Sequence, residues 1–163
     1  MKIGCLSDTH LKRPDPILDH ILNDLFAGVD MVLHAGDIAA YSVLEWLQEK
    51  GVIAVCGNMD DYEILDRVPQ VRTIEAAGKQ ISLVHGWGSK ERLAERILAK
   101  FSPDRPDIVV FGHSHVPFWG EVDGTYMFNP GSASQNRFIG AGTVGILEIG
   151  EQTVHGNFVS VGE

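Results

Sequence analysis

The chain has 163 residues, 44% of them hydrophobic and 21% charged, which suits one globular domain over 1–163 with enough length to bury roughly 70% of its unfolded surface. A formal charge of -9, from 13 basic and 22 acidic residues, argues against nucleic acid or an anionic membrane as partner. No apolar run approaches the ~20 residues of a membrane span, and the opening MKIGCLSD meets an acid at Asp8, so a soluble cytoplasmic protein is expected.

KIGCLS (2–7) reads as the first strand. Asp15 is placed as an N-cap, Pro16 as the first helical residue, and Ile17, Leu18, Ile21, Leu22 and Leu25 follow at helical spacing until Gly28. MVLHA (31–35) is a strand, 41–50 a helix stopped by Gly51, and VIAVC (52–56) a third strand. VRTIEA and QISLVH flank Ala77-Gly78-Lys79 as a hairpin. Ser89 is a cap for a helix carrying Leu93, Ile97 and Phe101, and DIVVF (107–111) is another strand. Short strands follow at 117–121, 125–128, 143–149 and 153–159. Strand–helix alternation with a strand-rich tail predicts two sheets packed face to face with helices outside. Cys5 and Cys56 sit in apolar runs and read as buried reduced thiols.

The polar clusters share one placement. Asp8-Thr9-His10, Gly36-Asp37, Gly57-Asn58, His85-Gly86, Gly112-His113-Ser114-His115 and Asn129-Pro130-Gly131-Ser132 each follow an apolar strand. In open α/β sheets ligands bind at that edge, so six loops are expected to converge. Carboxylate, imidazole and amide donors suit divalent cations such as Mn, Fe or Zn. A four-ligand structural zinc site has no need of so many candidates. Seven candidates with one shared fit two ions about 3.5–4 Å apart, able to grip phosphate oxygens and activate water. Two such ions offset by Asp8 and Asp37 leave about two positive charges, which lets an acidic chain attract a phosphate ester.

Other residues carry weaker signals. His34 precedes Gly36-Asp37 and either backs the site through a hydrogen bond or is a satisfied core histidine. Asp60 either bonds a ligand histidine or caps the next turn. His20 and His155 have no expected catalytic role. Trp46, Trp87 and Trp119 read as core or rim, Trp87 being the one nearest the cleft.

Together D-x-H (Asp8, His10), G-D (Asp37), G-N (Asn58), H-G (His85) and G-H-x-H (His113, His115) resemble the calcineurin-like metallophosphoesterase superfamily. Asn129-Pro130-Gly131-Ser132 and the short length resemble its small single-domain phosphodiesterase branch in bacteria and archaea. The resemblance implies a four-layer α/β/β/α sandwich of two mixed sheets flanked by helices. It implies Asp8, His10 and His115 on a first metal, Asn58, His85 and His113 on a second, and Asp37 bridging both. Mn²⁺ is the implied ion, with Fe, Zn and Ni also used in the family. The implied reaction is in-line attack on phosphorus by metal-bound hydroxide, with Asp37, Asn58 and His85 as catalytic residues and Asn58 helping to orient the phosphate.

One position departs from the pattern. Many superfamily members carry histidine after the G-N asparagine, where this chain has Met59, whose thioether cannot donate a proton to a leaving group. Gly57-Asn58-Met59-Asp60 does fit the G-N-x-D form of the small branch. Arg137 is a candidate for a phosphate oxygen. A phosphomonoesterase has the same ligand set and stays open, as does a homo-oligomer. A protein-interaction scaffold like the retromer subunit of this fold is the reading from another class; seven intact metal-capable side chains weigh against it.

Overall fold

The structure, a computed structural model, describes residues 1–134 and 141–162. Five strands form a first sheet in the order β10(154–160)–β9(143–149)–β1(2–6)–β2(31–34)–β3(53–54). Five form a second in the order β4(71–76)–β5(79–84)–β6(108–110)–β8(125–129)–β7(118–122). In the first sheet β1, β2 and β3 run parallel while β9 and β10 pair antiparallel. In the second, β5, β6 and β8 are parallel between antiparallel edges. Both sheets are mixed, and each has three parallel strands whose C-terminal ends lie along one edge.

The side-chain alternation of the strands builds three apolar layers. Ile3, Cys5, Leu33, Ile81, Leu83, Ile108, Val110, Phe128 and Leu147 fill the space between the sheets. Leu6 and Val144 face the other way and pack with Leu18, Ile21, Leu44, Leu47 and Ile64 of the helical segments. Val84, Val109, Phe111 and Met127 meet Leu93, Ile97 and Leu98 beyond the second sheet. The order is helix, sheet, sheet, helix, the expected four layers. Each fully buried aliphatic or aromatic side chain contributes roughly 1.5–3 kcal/mol. Cys5 lies in the inter-sheet layer and Cys56 in the layer under the helices, so the two thiols are buried, free and on opposite sides of the first sheet.

The local signals mostly hold. The Asp15 carboxylate accepts from the Ile17 N–H at 3.0 Å and starts α1 (Pro16–His20), which continues as a π-helical turn over Ile21–Leu25. Ala77 and Gly78 both have positive φ and form the two-residue turn of the β4–β5 hairpin. Helix α2 (Tyr41–Glu49) buries Val43, Leu44 and Leu47.

Three details differ from the sequence reading. The third strand shrinks to Ile53–Ala54. A short helix α3 (Tyr62–Arg67) was not expected; it is capped by Asp61, whose carboxylate accepts from Ile64 N–H and also from Tyr41 N–H at the start of α2. Helix α4 (Leu93–Ala99) starts from Arg92 in a left-handed conformation, not from Ser89, because the Ser89 hydroxyl is engaged by the Glu91 N–H. Phe101 lies beyond its end.

Candidate metal centre

The loops leaving β1, β2, β3, β5 and β6 meet at one cleft. Five of its side chains stand on left-handed backbone: Asp8 at φ 53, His10 at 48, Asp37 at 56, His113 at 69 and His115 at 61. Residues with a Cβ rarely adopt this region, at a cost on the order of 1–3 kcal/mol each, and such strain gathers at functional sites. Backbone bonds hold it in place. Asp8 N–H donates to Gly36 O at 3.0 Å, His10 N–H to Asp37 O at 3.1 Å, and Leu11 N–H to Ile38 O at 3.1 Å, lacing the first two loops together.

The donor atoms point inward. Asp8 Oδ1 lies 3.1 Å from His115 Nε2 and 3.7 Å from His10 Nε2, and those two nitrogens are 3.2 Å apart. On the other side, His113 Nδ1 is 3.0 Å from Asn58 Oδ1. Asp37 Oδ2 lies 3.3 Å from His85 Nε2 and 3.8 Å from His10 Nε2. Ligands about 2.1 Å from a shared ion stand roughly 3–3.5 Å from one another, so these separations suit cation binding. Asp8, His10 and His115 present ligand atoms within 4.8 Å of one another, and so do Asp8, Asp37 and His85.

Two buried atoms sharpen the point. Asp8 Oδ1 and His85 Nε2 are buried without a hydrogen-bond partner. Asp8 Oδ2 is already occupied by the Ser7 hydroxyl at 2.7 Å and the His113 N–H at 3.1 Å, which leaves Oδ1 facing the cleft. His85 Nδ1–H donates to Ala35 O at 2.7 Å, which turns Nε2 toward two carboxylates. An orphaned carboxylate oxygen and an orphaned imidazole nitrogen aimed at one space fit a divalent cation.

The electrostatics agree. Burial disfavours the charged His85 ring, but the Asp37 carboxylate beside it and the charge of Asp8 outweigh it and raise its pKa. Burial likewise pulls Asp37 upward and is overcome by His85, the Met59 N–H and His10, leaving its carboxyl below the ordinary value. The two shifts have one cause, since each group favours the charged form of the other.

The surroundings aim these groups. His34 is fully buried; Gly36 N–H donates to its Nδ1 at 3.1 Å, so Nε2 carries the proton and donates to Thr9 Oγ1 at 3.0 Å. Burial lowers its pKa to about 3, and it acts as a neutral strut between the first two loops. Among the described residues Asp60 bonds no histidine, and the cap of α3 is Asp61; the Asp60 carboxylate accepts from Ala39 N–H at 2.7 Å and Gly57 N–H at 2.6 Å, tying the second loop to the third. Buried Asn129 donates to Gly112 O and Ser114 Oγ and accepts from Gly131 N–H, while the Ser132 hydroxyl donates to Asp8 O at 2.9 Å. Two glycines permit the close approach: a Cβ at Gly57 would collide with the Asp37 backbone and carboxylate, and one at Gly112 with Ser7 and Asp8.

The cleft has a volume of about 400 Å³ and is lined by His10, Asp37, Asn58, Met59, Lys90, His113, His115, Ser132 and Ser134. Met59 is 62% exposed and borders it without a polar contact of its side chain among the described residues. Trp87 lies in a neighbouring pocket with Asn58 and His85, its ring covered by the Lys100 ammonium at 4.8 Å.

All seven sequence-predicted donors are thus brought to one cleft. His20 and His155 lie elsewhere: His20 pairs with Asp24 at the surface and His155 is on β10. Arg137 falls outside the described residues. The sequence reading gave no role to Asn129 and Ser132, although their motif stood at a strand end. It missed Lys90, which carries no motif signal.

The model for the calcineurin-like phosphoesterase superfamily domain matches residues 1–152. A protein of Methanocaldococcus jannaschii named a probable metallophosphoesterase is 33% identical over 141 residues, covering 84% of this chain and 70% of that one. A phosphodiesterase of the same organism is 27% identical over 162 residues, covering 91% and 93%. Among solved structures, a predicted phosphoesterase from Streptococcus pneumoniae superposes with a TM-score of 0.80 at 25% identity, over 98% of this chain and 89% of that one. A Vps29 mutant from Entamoeba histolytica superposes at 0.71 with 23% identity, over 98% and 99%, a likeness of fold.

Proposed function

Because the chain belongs to the calcineurin-like phosphoesterase superfamily, we propose that it is a dinuclear metal-dependent phosphodiesterase, a single catalytic domain acting in the cytoplasm on a phosphate ester. The observation that carries this reading is the pairing of donor atoms in the cleft, His10 with His115 and Asn58 with His113, with Asp37 Oδ2 near both His10 and His85.

Asp8, His10 and His115 would hold one ion, Asn58, His85 and His113 the other, and Asp37 both. Two bound divalent cations supply Lewis acidity toward phosphate oxygens and lower the pKa of water, and Mn²⁺ is the ion we favour over Fe, Zn or Ni. The chain's own part is orientation. His85 is held through Nδ1–H to Ala35 O, so its other nitrogen cannot rotate away. The Asp37 carboxylate is fixed by the Met59 N–H on Oδ1, leaving Oδ2 for the ions. Asn58 adds a neutral donor that leaves the site net positive for a phosphate, and Arg137 is the side chain we assign to a phosphate oxygen. The name of the 27% identical relative, a phosphodiesterase, supports the diester reading.

The experiment is to strip the protein with chelator, restore Mn²⁺, and time the hydrolysis of a chromogenic phosphodiester beside its monoester. Diester turnover that depends on metal is expected. Preference for the monoester would change the class of esterase, and silence toward both across several metals would favour a non-catalytic role.

A further inference from the structure

Among the described residues lining the cleft, one is a lysine, Lys90. It stands exposed in the loop before α4, and no ion pair or hydrogen bond engages its ammonium among the described residues. The loop itself is anchored. Arg96 of α4 donates Nη1 to Glu91 O at 3.1 Å and Nη2 to Trp87 O at 2.7 Å, and also reaches Ser89 O. The backbone of Lys90 is therefore positioned by the helix while its head group is free.

Lys90 also lines a second pocket, of about 430 Å³, whose walls include Leu93, Phe111, Val116, Pro117 and Phe118. Ser114, between His113 and His115, forms part of the same wall. The metal cleft and the apolar pocket thus adjoin at Lys90 and the loop after β6. Val116 and Phe118 are 46% and 39% exposed there, and large apolar side chains left open beside a polar cleft mark a place for a ligand.

Hydrolysis of a diester leaves negative charge on the departing oxygen. Met59, the uncharged neighbour of Asn58 in the cleft, has no proton to give. Resting on the phosphodiesterase reading, we propose that Lys90 serves the leaving group: its ammonium N–H donates to the leaving ester oxygen, and the Phe111–Phe118 pocket takes the body of a leaving alcohol that is apolar or aromatic. The step balances. The oxygen of water bonds to phosphorus, and the bond from phosphorus to the leaving oxygen breaks with its electron pair going to that oxygen. A proton passes along the Lys90 hydrogen bond to complete the alcohol, and Lys90 regains one from solvent, which has received the proton of the attacking water.

The test uses the full chain loaded with Mn²⁺ and a series of methyl aryl phosphodiesters whose leaving phenols run from 4-nitrophenol to unsubstituted phenol. Lys90→Gln is expected to lower kcat/KM for the phenyl ester by roughly 100-fold, yet by less than about threefold for the nitrophenyl ester, whose leaving oxygen needs no help. Lys90→Arg, which keeps the charge and a hydrogen-bond donor but has no proton to release, should recover only the electrostatic part of the loss. Phe118→Ala should raise KM for aryl leaving groups and leave the dependence on phenol acidity unchanged. Metal content and melting temperature of the variants are measured alongside and should match the unaltered chain, since neither residue is among the seven donors. An equal loss across the series, or none, would overturn the assignment of Lys90 while leaving the phosphodiesterase reading intact. Failure of the unaltered chain to hydrolyse any of the diesters would overturn that reading, and this one with it.

Discussion

His113 Nδ1 and Asn58 Oδ1 stand 3.0 Å apart, although one follows β6 in the second sheet and the other β3 in the first, 55 residues away. His113 Nε2 donates to Gly88 O at 2.8 Å, which turns Nδ1 toward the amide group. A cation shared by nitrogen and amide oxygen satisfies both. Asn58→Ala should therefore weaken one of two Mn²⁺ sites by at least about 10–100-fold and leave the other near its original affinity. Calorimetric titration of the stripped variant checks this; equal weakening of both sites would contradict it.

Asp37 has the opposite signature, because its Oδ2 faces His85 on one side and His10 on the other. Asp37→Asn removes the charge that both ions would share. Turnover of the diester should fall by at least about two orders of magnitude. Unaltered rates in that variant at saturating Mn²⁺ would rule out the bridging role.

Gly57 tests packing separately from charge. An added methyl would meet the Asp37 backbone and carboxylate, neither of which can move without disturbing the site. Gly57→Ala should cost about 1–3 kcal/mol of stability, read by denaturant unfolding, and should displace Asp37 enough to lower Mn²⁺ affinity as well. Full affinity and full stability together would show that the loops are looser than described.

His34 gives the chain a pH dependence with a defined sign. Its folded pKa of about 3 lies below the ordinary value near 6.5, so as pH falls below about 6.5 the unfolded chain takes up a proton that the folded chain refuses. Stability is then lost by up to roughly 1.4 kcal/mol per pH unit, continuing down toward the folded value. His34→Asn keeps an acceptor for the Gly36 N–H and removes the titration. Between pH 7 and 5 the metal-free unaltered protein should lose stability more steeply than this variant. Parallel slopes would mean that His34 takes up its proton as readily in the folded chain as in the unfolded one.

Much of this site was legible in the chain because it is written in residue types that the fold does not otherwise need. Asp8, Asp37, His85 and His113 each follow an apolar run, and strands end where their ligands begin. What stayed hidden was hidden for physical reasons. The left-handed backbone of His10 and His115 depends on tertiary hydrogen bonds that no local pattern records. Asp60 and Asp61 are adjacent acids, and only the fold decides that Asp61 caps the helix while Asp60 ties two loops. Lys90 resembles any surface lysine until α4 brings its loop to the cleft. Ser89 was a sound cap by composition, but its hydroxyl is used one turn early by Glu91.

The central claim is that two ions share this cleft, and the most direct measurement is the number of Mn²⁺ ions bound per chain after chelator treatment and reloading, by elemental analysis alongside calorimetric titration. Two per chain are expected, falling toward one in Asn58→Ala. A single ion in the unaltered protein, or none, would contradict it.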